Sequence, residues 1–216
     1  MSYSPPSSAK PFNFHVSDQD ISEFKQLLHL SKIGPHTFEN HQEDRRFGLT
    51  HQWLSDAKDY WLNKYDWRAT EKHINSFPNY TMDIDDVNVH FVALFSEKKD
   101  ATPIVFLHGW PGSFIEFLPM ASLIKDKYNT ADQPYHIIIA SLPGYPGSSV
   151  LPLDKDYKVH DTARVINTLM KNLGFDKYIA QGGDIGSIVS RILSDTYEEC
   201  IGIHGEQTLY QGRTAG

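Results

Sequence analysis

The sequence predicts an α/β fold in which a mostly parallel sheet is flanked by helices and preceded by a distinct N-terminal region. Three observations lead there. The runs IVFLHG (Ile104–Gly109), HIIIAS (His136–Ser141) and YIAQ (Tyr178–Gln181) are almost continuously apolar, as strands covered on both faces are. Each is followed by residues with helical spacing, and alternating strand and helix implies right-handed crossovers in a parallel sheet. Before Pro78 the chain instead shows helical and aromatic patterns without strands of this kind. The expected organisation is a loose tail over 1–10, an N-terminal region over 11–78 and an α/β core over 79–216.

Residues 1–10 are rich in Ser and Pro, which favours an unstructured tail. PFNFHV (Pro11–Val16) alternates apolar and polar residues and reads as a short strand or extended arm. Ser17 followed by Asp20 is a helix N-terminus signal, and Ile21, Phe24, Leu27 and Leu28 then share one helical face. Leu49–Tyr65 is expected to be helical. Trp53, Tyr60, Trp61, Tyr65 and Trp67 make this part unusually aromatic, which favours packing over ligand binding.

After Pro78 the period changes to two. TMDIDDV and VNVHFVALF read as strands joined by a turn near Asp85 and Asp86. After IVFLHG, Ser113 and Glu116 have capping-box spacing, and Pro119 should bend or restart the helix they begin. Asp161–Gly174 reads as a helix with Asp161 at its N-cap and Gly174 past its end. Ile185, Ile188, Val189, Ile192 and Leu193 form one stripe, so a helix follows the third strand at once. CIGIH (Cys200–His204) is a further strand.

The 216 residues suffice for one sizeable core, and 40% hydrophobic with 12% aromatic residues excludes a disordered chain. A net charge of −7 argues against nucleic acid or an anionic membrane as the main partner. The lone cysteine, Cys200, cannot form an intramolecular disulfide, and neither a signal peptide nor a membrane-spanning run is visible. A soluble cytoplasmic protein without a membrane anchor is expected.

Chemistry concentrates at GGDIG (Gly182, Gly183, Asp184, Ile185, Gly186). A strand that turns sharply into a helix crowds the turn, and glycine on both sides lifts the central side chain into the open. Free N–H groups and the dipole of the following helix would keep Asp184 ionised. No His/Asp/Glu cluster with metal-ligand spacing lies beside it, so neither metal nor cofactor is expected. Direct attack on carbon fits better, giving an ester that water must break through a tetrahedral oxyanion. Its donors would be the N–H of Ile185 and one from HGWPGS (His108–Ser113). There Trp110 is the candidate, because Pro111 has no N–H. His108, Gly109, Pro111 and Gly112 complete this loop, and His108 reads as structural rather than as a base. Two such turns, each between strand and helix, point to an Asp-type α/β-hydrolase scaffold.

HGWPGSFIEF, SLPGYPGSS and GGDIGS together resemble the microsomal-type epoxide hydrolases, including their soluble fungal relatives. PFNFHVS and the aromatic LTHQWLSDAKDYWLNKYDWRATEKHINSFPNY resemble that family's N-terminal domain, with the family-like stretch continuing to about 117. Haloalkane dehalogenases share the aspartate but not this region. The resemblance implies that Asp184 opens an epoxide through an alkyl-enzyme ester, with Trp110 and Ile185 as oxyanion hole, and that a vicinal diol results. It also implies two lid tyrosines on the epoxide oxygen and a histidine, oriented by an acid, that activates water.

The family carries these last groups well downstream of the nucleophile. Here 32 residues follow Asp184, with His204 as their one histidine. An incomplete core lacking the lid and C-terminal part is therefore expected, with an exposed edge strand open to self-association. His204, near Glu206, is the one candidate base, and Tyr210 the one tyrosine beyond Tyr197. Three readings stay open: an epoxide hydrolase by descent, a non-catalytic binding protein, and a half-enzyme completed in trans.

Overall fold

A computed structural model describes residues 3–205; Glu206 and Tyr210 lie outside the described residues. The chain forms two compact units, one of Met1–Phe14 with Ile74–Gly216 and one of His15–His73.

In the His15–His73 unit, helix α1 (Asp18–Leu30) begins at Ser17, whose Oγ accepts from Asp20 N–H at 3.0 Å. Helix α2 (His51–Asn63) begins at Thr50, whose Oγ1 accepts from Trp53 N–H at 3.1 Å. These caps satisfy amides that the first turns leave open. A further helix, α3 (Trp67–Ile74), is not marked by the sequence pattern. It carries Glu71, whose buried carboxylate accepts from Val16 N–H, Arg68 and Trp67 Nε1 at 2.6–2.9 Å. Burial opposes ionisation of Glu71, but these three bonds and the Arg68 charge prevail and hold its pKa at about 2. The aromatic residues pack on each other: Trp61 meets Phe24 edge-on and stacks on Tyr65 at 4.8 Å. With Trp67 and Arg68 they line a cavity of about 420 Å³.

The larger unit is built on a seven-stranded sheet in the order β1-β2-β3-β5-β4-β6-β7. Its strands are β1 (Lys10–Pro11), β2 (Asn79–Ile84), β3 (Val87–Leu94), β4 (Thr102–Leu107), β5 (Tyr135–Ala140), β6 (Tyr178–Gly182) and β7 (Cys200–Gly205). The sheet is mixed. β5, β4, β6 and β7 run parallel, as the apolar runs require, while β1, β2 and β3 pair antiparallel. The β2–β3 hairpin turns at Asp85 and Asp86, with Ile84 opposite Val87 and Asp85 at φ 50°. Both central positions of such a two-residue turn favour Asp, Asn or Gly.

Helices α4 (Leu118–Lys127), α5 (Val159–Asn172) and α6 (Ile185–Thr196) make the crossovers. Ile166, Leu169 and Met170 of α5 and Val189 and Leu193 of α6 are buried with Val105, Leu107, Ile138 and Tyr178 in one core. Tyr178 donates to Asn167 of α5 at 2.8 Å, so its buried hydroxyl has an acceptor.

Several expectations need correction. Residues 3–10 are anchored rather than loose, because Tyr3 stacks on Phe175 at 5.3 Å and its hydroxyl donates to the Leu173 carbonyl at 2.8 Å. Of the short strand or extended arm expected over Pro11–Val16, the strand covers only Lys10–Pro11, and beyond it Phe12 N–H still donates to the Asn79 carbonyl at 2.9 Å. Asp161 is not the N-cap of α5. It sits one turn in, where its carboxylate accepts from Lys158 N–H at 2.9 Å. Ser113 caps a short 3-10 turn, Phe114–Phe117, and Pro119 then lies in the first turn of α4.

No helix among the described residues is long and apolar enough to cross a membrane. β7 ends the sheet order, with Ile201 and Ile203 exposed.

Candidate active site

β4 and β6 are parallel neighbours with Leu107 opposite Gly182, so the segments that follow leave the sheet side by side. After β6 the chain turns through Gly183 and Asp184 directly into α6. Asp184 has φ 49° and ψ −121°, a backbone state that L-residues adopt at a cost of about 1–3 kcal/mol. Close approach requires the flanking glycines. A Cβ on Gly182 would lie 2.3 Å from the Gly186 carbonyl, and one on Gly186 would lie 2.0 Å from the Leu107 carbonyl oxygen. The Gly183 carbonyl accepts from Ser187 N–H at 3.3 Å, which begins the helix.

The loop after β4 comes to the same place. A Cβ on Gly109 would stand 2.5 Å from Asp184 Cβ, so only glycine lets the two turns touch. Trp110 N–H donates to Asp184 Oδ1 at 2.8 Å. The Trp110–Pro111 peptide is cis, a feature that sequence reading missed. Gly112 sits where a Cβ would meet the Glu116 carboxylate at 2.3 Å. The bonds from Trp110 N–H and then Ile185 N–H hold the Asp184 carboxyl below the usual aspartate range, against a small opposing effect of burial. Asp184 is thus an exposed, ionised carboxylate with one oxygen already held.

His108 is fully buried at the end of β4. Its Nε2 accepts from Leu142 N–H at 3.1 Å, and its Nδ1 lies 3.1 Å from the Gly109 carbonyl. Burial, partly offset by the bond to Gly109, lowers its pKa. Tyr145 of the loop after β5 packs its ring edge-on to His108, with centroids 4.6 Å apart. Burial and then the Asp184 charge raise the Tyr145 pKa, which puts this tyrosine in the electrostatic range of the carboxylate. Sequence reading left Tyr145 aside, although it sits within SLPGYPGSS.

The structure brings Asp184, Trp110, Ile185 and the HGWPG loop together. It does not join His204 to them. His204 lies exposed on β7 in register with Gln181, and no hydrogen bond or ion pair among the described residues links it to Asp184. No group of three or more His, Cys, Asp or Glu among the described residues is placed to hold a metal ion.

Known proteins share this arrangement. Residues 9–117, half of the chain, match the family described as epoxide hydrolase N terminus, and residues 102–202 match the alpha/beta hydrolase fold. The Aspergillus niger epoxide hydrolase structure superimposes with a TM-score of 0.87 at 46% identity, over 96% of this chain and 56% of that one. Juvenile hormone epoxide hydrolase from Bombyx mori gives a TM-score of 0.78 at 26% identity, over 94% and 54%. A Dothistroma septosporum protein provisionally named an epoxide hydrolase is 40% identical over 90% of this chain and 48% of its own. The chain spans about half the length of the relatives it matches. With the Asp elbow, the HGWPG loop against it and the matched N-terminal region, the chain belongs to the epoxide hydrolase family.

Proposed function

We propose that this chain carries the nucleophilic half of epoxide hydrolysis. The observation that carries the reading is the 2.8 Å bond from Trp110 N–H to one oxygen of an exposed, ionised Asp184 on a strained elbow. That bond leaves Oδ2 as the attacking oxygen. Oδ2 attacks the less hindered epoxide carbon, that C–O bond breaks, and its electron pair goes to the ring oxygen, which takes up a proton from solvent. The product is an ester of Asp184 with a β-hydroxyl. Oδ1 then becomes the ester carbonyl oxygen, and water adding to that carbon places negative charge on it, where Trp110 and Ile185 N–H stabilise it. Losing one such donor typically costs about 3–4 kcal/mol of barrier. Collapse breaks the bond from that carbon to the alkyl oxygen, which takes one proton of the added water while the other returns to solvent, leaving the Asp184 carboxylate and a vicinal diol.

With no imidazole in contact with Asp184 among the described residues, the ester forms faster than it breaks, and His204 is at most a weak base for that step. The family-like N-terminal segment, residues 11–78, is proposed as a region separate from the hydrolytic core 79–216. The small-molecule epoxide is proposed as the partner, without nucleic acid, in a cytoplasmic setting. The exposed Ile201 and Ile203 on the edge strand favour self-association there.

The test is the intact mass of the protein after exposure to a small aryl epoxide, beside Asp184→Ala. One persistent equivalent, absent from the alanine variant, is expected. Diol without adduct would make His204 the suspected base, and folded protein with neither product refutes the reading.

A further inference from the structure

We infer that His108 is a positioning residue for the oxyanion donor: it grips the Gly109 carbonyl and so aims the N–H of the same peptide unit at Asp184. The inference rests on the reading of Asp184 and Trp110 proposed above and adds a residue to it.

The hydrogen-bond pattern fixes the tautomer. Leu142 N–H lies 3.1 Å from His108 Nε2, and a backbone amide can only donate. Nε2 is therefore the bare nitrogen and Nδ1 carries the proton. Nδ1 faces the Gly109 carbonyl oxygen at 3.1 Å and donates to it. The Gly109 carbonyl and the Trp110 N–H are opposite ends of one trans peptide plane, so they point in opposite directions. Holding the carbonyl on the His108 side therefore turns the N–H toward the site, where it meets Asp184 Oδ1 at 2.8 Å.

The ring that does the holding is itself held. It is fully buried, its far nitrogen is tied to the loop after β5, and Tyr145 packs on its edge at 4.6 Å. A second proton on the ring would set an N–H against the Leu142 N–H, so the grip belongs to the neutral form. Gly109 has no side chain with which to restrain this peptide. Without His108, the peptide is free to rotate its N–H away from the carboxylate.

Two substitutions separate this role from a merely structural one. In His108→Asn the side-chain amide nitrogen takes the place of Nδ1 and can still donate to Gly109, but the side chain is too short for Leu142. In His108→Gln the side chain reaches the place of Nε2 and the Leu142 amide, but leaves the Gly109 carbonyl without its donor. The readout is the Asp184 carboxyl titration by carbon-13 NMR, assigned with Asp184→Asn, on variants shown to be folded by circular dichroism. The Asn variant is expected to keep the depressed pKa, and the Gln variant to return toward the ordinary aspartate range. A folded Gln variant that keeps the depressed pKa, or an Asn variant that loses it, overturns the inference. If the Gln variant does not fold, the Asn variant alone decides. Wild-type protein with a depressed Asp184 pKa but no ester after epoxide treatment would refute the proposed function and leave the His108 geometry standing.

Discussion

Replacing Gly186 by alanine puts a methyl carbon 2.0 Å from the Leu107 carbonyl oxygen, 2.6 Å from its carbon and 2.9 Å from the His108 carbonyl oxygen. A carbon–oxygen contact needs about 3.3 Å, so α6 must retreat by roughly 1.3 Å from β4. All three atoms are backbone, and no side chain can rotate aside to absorb the shift. Overpacking of this kind costs about 1–3 kcal/mol, and a rigid neighbour puts Gly186→Ala near the upper end. Alanine returns about 1 kcal/mol through its better helix propensity. The net loss is about 2 kcal/mol, or a Tm lower by about 4–8 °C for a chain of this size. Far-UV circular dichroism is the suitable probe, because three of the four tryptophans, Trp53, Trp61 and Trp67, lie in the His15–His73 unit and fluorescence would report mainly on it. Gly202→Ala is the control, since a Cβ there would meet only Ile179 Cγ1 at 3.9 Å, and its Tm should stay level or rise slightly. A Gly186→Ala protein as stable as the parent would refute the close approach of α6 to β4 on which the elbow depends.

Three other perturbations have defined outcomes. His90 is fully buried between Ser141 Oγ and Asn79 Oδ1, and burial lowers its pKa to about 4. The unfolded chain then binds a proton that the folded one does not. Stability should fall as pH drops from about 6.5 to about 4, by up to about 3 kcal/mol, and urea midpoints should show a smaller slope in His90→Gln. Glu71→Ala removes the acceptor of Val16 N–H and Trp67 Nε1 and should destabilise the His15–His73 unit by about 2 kcal/mol, seen as an earlier tryptophan fluorescence transition. The Asp184 pKa is depressed first by Trp110 N–H and then by Ile185 N–H, so its contribution to stability is present above the ordinary aspartate pKa and lost as pH falls through the depressed value. The rate of ester formation should accordingly be level from pH 8 to about 5, with its fall confined to more acid solutions; a fall centred near neutrality would contradict an ionised aspartate nucleophile.

Much of the core was legible because burial on both faces leaves a plain mark. IVFLHG, HIIIAS and YIAQ are β4, β5 and β6 to within a residue or two, and the stripe from Ile185 to Leu193 is α6. The antiparallel part was legible only as a hairpin. That β3 joins the sheet through β5 depends on pairing across some fifty residues, which no local pattern encodes. Helix α3 was hidden because its anchor, Glu71, takes its partners from Val16 and the helix itself rather than from an apolar stripe. The start of α5 was misread for a similar reason: an aspartate in the first turn can accept from the preceding amide as well as cap, and Asp161 does the former. At the site, the glycine spacing exposed Asp184, and the missing N–H of Pro111 singled out Trp110. The partners of His108 were out of reach, since Leu142 lies 34 residues away and tautomers have no sequence signature.

The most direct test is peptide mapping after epoxide treatment. Trypsin releases Tyr178–Arg191, cut after Lys177 and Arg191, and Asp184 is the one acidic residue in that peptide. An assembled nucleophile predicts that this peptide gains one equivalent of the epoxide's mass and that the fragment ions place it on Asp184. An unmodified Tyr178–Arg191 peptide from folded protein, with label spread instead over Cys200 and the histidines, would contradict it.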